Sequence, residues 1–136
     1  MATTIAYADG AIDHRGGNDY TGVGIFFGRD DPRNFAGKLA NGPQTIQRAE
    51  LAAVAKALEL AQTQPGEHVQ VRTDSEYAIN AINDVRKGAQ PPSNSELVKQ
   101  IVQATSSNTH IMLAGKDEAG NKVADSLARQ AAALAG

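Results

Sequence analysis

What most constrains this chain is the run TIQRAELAAVAKALELAQT, Thr45 to Thr63, in which nearly every residue is a good helix former and Ile46, Val54 and Leu58 fall along one stripe. Pro65-Gly66 is expected to terminate it. β-rich segments lie on both sides. TTIAYADG alternates and is expected to stop at its Asp-Gly turn signal, TGVGIFFG is a run ended by Gly28, NFAGKLA is a weaker third strand, and HVQVRTD is a short strand after the helix. A helix of this length between strands is the crossover that a parallel strand pair requires. Downstream, SEYAINAINDV and SELVKQIVQAT predict helices that offer Tyr77, Ile79 and Ile82, then Leu97, Ile101 and Val102, to the core. THIMLA follows as a strand, and NKVADSLARQAAALA closes the chain as a helix anchored by Val123, Leu127 and Leu134. The order βββαβααβα predicts a mixed α/β fold with an antiparallel meander first and parallel strands after it.

A chain of 136 residues is expected to form one domain, residues 1–136, around a single core. It has no cysteine, which excludes a disulfide-stapled scaffold and a zinc-thiolate site and favours an intracellular setting. No apolar stretch approaches membrane-spanning length, so no membrane partner is expected. With thirteen basic and fifteen acidic residues the formal net charge is −2, which gives no general attraction to a polyanion. GAQPPSN, Gly88 to Asn94, is the one linker-like patch, too short to divide domains.

The expected topology gathers four acids at one sheet edge: Asp9 ending the first strand, Glu50 in the opening turns of the long helix, Asp74 ending the fourth strand, and Asp125 in the first turns of the last helix. Carboxyl ends of strands are where open α/β sheets bind ligands. Each acid also has a plainer role open to it. Asp9 suits an Asp-Gly turn, Asp74 lies inside Thr73-x-x-Glu76, which fits a capping box, and Asp125 complements a helix dipole. Glu50 resists this, because it sits on the core-facing stripe, where an unpartnered carboxylate is costly. With no arginine or lysine expected at the same edge, four converging carboxylates repel one another unless hard divalent ions intervene. Two such ions about 3.5–4 Å apart clamp the attacking and leaving oxygens of a phosphoryl displacement, so the residues point to a two-metal phosphodiesterase. With these four set aside, eleven acidic residues face thirteen basic ones, and a nucleic acid becomes an acceptable partner.

ADG at Ala8–Gly10, QTIQRAELAAVAKAL from Gln44, RTDSEYAINAI from Arg72 and GNKVADSLA from Gly120 together resemble type 1 ribonuclease H, in order and over nearly the whole chain. The insert FGRDDPRN, Phe27 to Asn34, is most similar to fungal members. The resemblance implies a ribonuclease H-like five-stranded mixed sheet flanked by helices. It also implies an endoribonuclease that cuts the RNA strand of RNA/DNA hybrids and leaves 5′-phosphate and 3′-hydroxyl ends. Asp9, Glu50, Asp74 and Asp125 match the family's carboxylates for two Mg²⁺ ions, with Mn²⁺ as a substitute. Thr45 and Asn94 match positions that hold a DNA-strand phosphate, and Gln47 one that reads the minor groove. Gly10 and Arg15 fall near the substrate path, as do Ile12, Asp13 and His14. No obligate protein partner is implied, and a monomer is expected.

Four departures from the family accompany this. Ile46 stands where an asparagine is usual, DGAIDHRGG lacks the small polar run after Asp-Gly, and VRKGAQPPSN replaces a tryptophan-rich basic protrusion. Lys116 takes the place of a loop histidine; a lysine is protonated at neutral pH and so makes a poor base, though it can contact a phosphate or donate a proton. These departures motivate an alternative, a catalytically weak or inactive ribonuclease H-like domain that binds nucleic acid or scaffolds. A fragment of a retroelement polyprotein is a third reading; the initiating Met and full set of motifs favour a free-standing protein.

Overall fold

The computed structural model describes residues 3–39, 42–61, 67–88 and 95–135. The elements are β1 (Thr3–Arg15), β2 (Asn18–Phe26), β3 (Phe35–Lys38), α1 (Ile46–Leu60), β4 (His68–Thr73), α2 (Glu76–Arg86), α3 (Ser95–Ala104), β5 (Thr109–Leu113) and α4 (Ala119–Leu134). They form one sheet in the order β3-β2-β1-β4-β5. β1 pairs antiparallel with β2 and β2 with β3, while β1–β4 and β4–β5 are parallel, the pattern that the crossover by α1 demands. The Pro65-Gly66 stop and most of the GAQPPSN patch, with Asn94, lie outside the described residues. No helix among the described residues is long and apolar enough to cross a membrane.

The Asp9-Gly10 pair is not a turn. β1 runs straight through it to Arg15, and the chain reverses at Gly16-Gly17, whose φ angles of 58° and 81° suit a mirror-image two-residue hairpin turn. β1 outruns β4. The parallel ladder ends at Ala8 opposite Thr73, and from Asp9 onward β1 is paired with β2 alone. Asp9 therefore lies immediately past the carboxyl end of β4, in mid-strand and rigidly held.

One face of the sheet carries the large apolar core, with Ile25, Leu51, Val54, Val71, Ile82, Val98 and Ile101 closed off from solvent between strands and helices. At about 25 cal/mol per Å² this burial is the main stabilising contribution. The other face receives α4, and of the three expected anchors Leu127 is half-buried against Gly24 of β2, whereas Leu134 is 87% exposed and Val123 37%. The buried side is instead Gly120, Asn121, Ala124, Ala128, Ala131 and Ala132. The reason lies in β2. A Cβ at Gly22 would stand 2.2 Å from the Ala128 carbonyl oxygen, and one at Gly24 2.2 Å from that of Ala124, so helix backbone rests directly on strand backbone. Large side chains would hold the two apart, and small ones let them touch.

Candidate active site

Asp9 is buried on β1, and its register partner on β2 is Gly24. Because Gly24 admits the backbone of Ala124, the next helical residue, Asp125, is delivered beside Asp9. Gly10 does the corresponding service on the opposite face. A Cβ there would lie 2.7 Å from the carbonyl carbon of Ala49 and from the nitrogen of Glu50, so only glycine lets α1 bring Glu50 this close to β1. Asp74 is the first residue after β4. Four elements thus each contribute one acid to the same edge, as the sequence led us to expect.

The plainer roles of these acids are taken by others. Ser75, not a Thr73-to-Glu76 box, caps α2: its hydroxyl accepts the Ala78 N–H at 3.0 Å, and Thr73 Oγ1 accepts the Ser75 N–H at 3.2 Å. Asp74 is left free of capping, and its Oδ2 accepts from Asn121 Nδ2 at 3.3 Å. Asn121 is buried, and its own Oδ1 has no partner among the described residues. A cation does stand at this edge, contrary to expectation: Arg129 Nε lies 2.8 Å from Asp125 Oδ2, one helical turn on. The pair is exposed, and such pairs stabilise little.

The electrostatics follow from crowding. Asp9 Oδ1 accepts the Gly10 N–H at 2.9 Å, which favours the anion. Burial outweighs this, and together with a hydrogen bond that protonated Asp9 donates to the Asp125 carboxylate and the nearby charges of Asp74 and Asp125 it pushes Asp9 up to about 8. Burial also raises Glu50, with Asp74 adding to the effect and a hydrogen bond from Ser75 opposing it. Among the described residues no three His, Asp or Glu side chains close around a single point. Mg²⁺ ordinarily takes only one or two carboxylates while keeping waters and substrate oxygens. An all-carboxylate donor set whose buried member is pushed up to about 8 by burial and by its neighbouring carboxyls fits hard divalent ions.

Beside these acids opens a cleft of about 590 Å³, lined by Glu50, Asp74, Ser75, Tyr77, Leu113 and Lys116 among others. Lys116 therefore shares a cleft with two of the four acids. Thr45 caps α1, its hydroxyl accepting the Arg48 N–H at 3.2 Å, and Gln47 is exposed on the first turn of that helix. Arg15 is occupied elsewhere: its guanidinium donates to the carbonyls of Ala132, Ala133 and Ala135 at the end of α4, pairs with Asp13 and lies over the Tyr20 ring. Sequence reasoning missed Ser75, Asn121, Glu118 and Arg129. Only Asn121 left a signal, as a polar residue in register with the alanines of the buried face of α4.

Residues 1–133 match the family model described as RNase H. Ribonuclease H of Schizosaccharomyces pombe is 33% identical over 142 residues, covering 94% of this chain and 52% of that protein. Human ribonuclease H1 is 36% identical over 85 residues, covering 62% of this chain and 29% of that protein. The chain thus spans about half the length of the yeast relative and less of the human one. Among solved structures, the PFV RNase H domain superposes with a TM-score of 0.77 at 24% identity, over 98% of this chain and 96% of that one. LC9-RNase H1, a type 1 RNase H with the type 2 active-site motif, gives 0.72 at 21% identity over 99% and 74%. These two show the same fold. With residues 1–133 matched by the family model and 94% of its length aligned at 33% identity to a curated member, the chain belongs to the ribonuclease H family, in its type 1 branch.

Proposed function

We propose that this chain is a single-domain, monomeric, intracellular endoribonuclease that hydrolyses the RNA strand of RNA/DNA hybrids and leaves 5′-phosphate and 3′-hydroxyl ends. The observation that carries it is the meeting of four carboxylates from β1, α1, the end of β4 and α4 at one sheet edge beside an open cleft. Asp9, Glu50, Asp74 and Asp125 would together hold two hard divalent ions. Bound there, Mg²⁺ or Mn²⁺ supplies charge neutralisation and Lewis acidity at the scissile phosphate. Asn121 holds one Asp74 oxygen and the Ser75 hydroxyl one Glu50 oxygen, so both carboxylates are oriented before any ion arrives. Lys116 brings an ammonium to the cleft that contacts a phosphate oxygen and can give a proton to the departing oxygen.

Gln47 reads the minor groove from the exposed first turn of α1. Thr45 and Asn94 meet a DNA-strand phosphate, Thr45 with the hydroxyl hydrogen that capping leaves unused. Gly10, buried beneath α1, serves the substrate indirectly by letting that helix bring Glu50 to the edge. Arg15 drops out, since its donors serve α4. Selectivity for the hybrid rests on 2′-hydroxyls and groove shape rather than base sequence.

The test is cleavage of a labelled RNA/DNA hybrid with Mg²⁺ or Mn²⁺, alongside Asp9→Asn. We expect metal-dependent cuts in the RNA strand only, with the variant slower by at least about a hundredfold. Binding without cleavage at high protein concentration would instead support the non-catalytic domain that Ile46, Lys116 and the reduced protrusion suggest. Cleavage indifferent to Asp9→Asn would place the activity elsewhere.

A further inference from the structure

The short connection from β5 to α4 has little packing to hold it. Leu113 is 53% exposed, and Gly115, Lys116, Asp117 and Ala119 all face solvent; only Ala114 is buried, its N–H donating to the Thr73 carbonyl at 2.7 Å. Yet this connection carries Lys116 to the cleft. What orders it is Glu118. Although Glu118 stands at the N-cap of α4, its side chain caps none of that helix's amides. It turns back instead. Oε2 accepts the Gly115 N–H at 2.6 Å while the Glu118 N–H donates to the Gly115 carbonyl at 3.1 Å, so the turn around Lys116 is closed twice. Oε1 accepts from the Tyr7 hydroxyl at 3.1 Å and from Arg72 Nη1 at 2.8 Å. Tyr7 and Arg72 are register partners on β1 and β4, and Arg72 is steadied by Tyr7 Oη at 3.3 Å and by Gln70 Oε1 at 3.1 Å. Gly120 completes the fit, because a Cβ there would lie 2.2 Å from the Tyr7 ring.

We propose that Glu118 is a positioning residue: it latches the turn bearing Lys116 to β1 and β4 and so holds the Lys116 ammonium at the rim of the cleft. The two bonds that Oε1 makes are to β1 and β4, at Tyr7 and Arg72, two residues before Asp9 and Asp74 respectively. The lysine is thereby referenced to the same strand ends as the acids. A long flexible side chain on an unanchored turn loses much of its catalytic value to disorder, and fixing its base recovers it. A latch that is one-third exposed does little for global stability, which separates positioning from a structural role.

The role through Lys116 rests on the hybrid-cleaving reading, while the latch itself is read without activity. Amide hydrogen exchange at Gly115, followed by NMR in the ion-free protein, should accelerate about tenfold or more in Glu118→Ala and less in Glu118→Gln, with the melting temperature moved by only about 2–3 °C. On hybrid, Glu118→Ala should lower kcat about tenfold with KM changed less than about twofold. In a Lys116→Ala background the same substitution should cost nothing further. Unchanged Gly115 exchange overturns the latch; an equal loss of kcat in both backgrounds overturns its action through Lys116. If no form of the protein cleaves hybrid, the functional reading falls, and Gly115 exchange still decides whether Glu118 latches the turn.

Discussion

Asp9 concentrates the electrostatic problem of this protein in one side chain. Its folded value of about 8 stands well above the ordinary 3.8, through burial first and the Asp125 and Asp74 carboxyls second. An unfolded chain releases this proton near pH 4, whereas the folded ion-free protein keeps it to about pH 8. Between those limits the folded state binds more protons, so rising pH removes stability until the folded group has itself ionised. Glu50, raised mainly by its burial, acts in the same sense. Asp31 and Glu118 are lowered, the first mainly by hydrogen bonds to Arg33 and the second mainly by its bond to the Gly115 amide. They act oppositely, and their contribution is lost as pH falls below the ordinary carboxylate range. In EDTA the melting temperature should therefore fall from about pH 5 to about pH 8, and Asp9→Asn, which needs no countercharge, should melt about 5–10 °C above the parent at pH 8. Mg²⁺ should raise the parent and leave the variant nearly unmoved. A parent that grows more stable with pH in EDTA over that interval would contradict this account.

At the level of elements, the site is built by missing side chains. Gly24 and Gly22 seat α4 on β2, and Gly10 seats α1 on β1, so three acids converge because strand and helix backbones touch. Gly24→Ala would force α4 off the strand next to Asp125. We expect a loss of about 1–3 kcal/mol or more, and a drop in metal-dependent cleavage larger than the loss of folded protein explains. Gly17→Ala is the contrast: its Cβ meets no atom, and only the φ of 81° opposes it, so about 1–2 kcal/mol of strain should leave activity intact. Equal melting temperatures for Gly24→Ala and the parent would show that α4 does not rest on β2 as described.

These glycines also mark what could be seen beforehand. Helix-forming runs and alternating strands were legible because periodicity is local, and the edge that gathers the acids followed from strand direction alone. The anchors of α4 were not, because choosing Ala124 and Ala128 over Val123 and Leu134 requires knowing that β2 offers bare backbone. Asp-Gly misled for a related reason: whether it turns depends on how far β2 goes on pairing with β1. The Arg129–Asp125 pair and the bonds of Glu118 stayed hidden because they join side chains whose approach is set by packing.

The molecule as a whole carries a formal charge of −2, so its hold on a polyanion has to come from a few placed contacts rather than from its field. Binding of a hybrid in EDTA, where no ion bridges the acids and phosphates, should therefore depend weakly on salt. We expect a log–log slope no steeper than about −3 to −4, the release expected for about three or four neutralised phosphates. Ile46 sits half-buried in the first turn of α1 beside the exposed Gln47, and under the proposed function this turn would face the groove rather than a phosphate. Ile46→Asn should then tighten binding by the value of one hydrogen bond, about threefold to tenfold, and leave the slope unchanged. Fluorescence anisotropy across a salt series measures both at once. A slope near −8 would reveal a basic track that the charge balance conceals, and an Ile46→Asn variant with unaltered affinity would remove α1 from the groove.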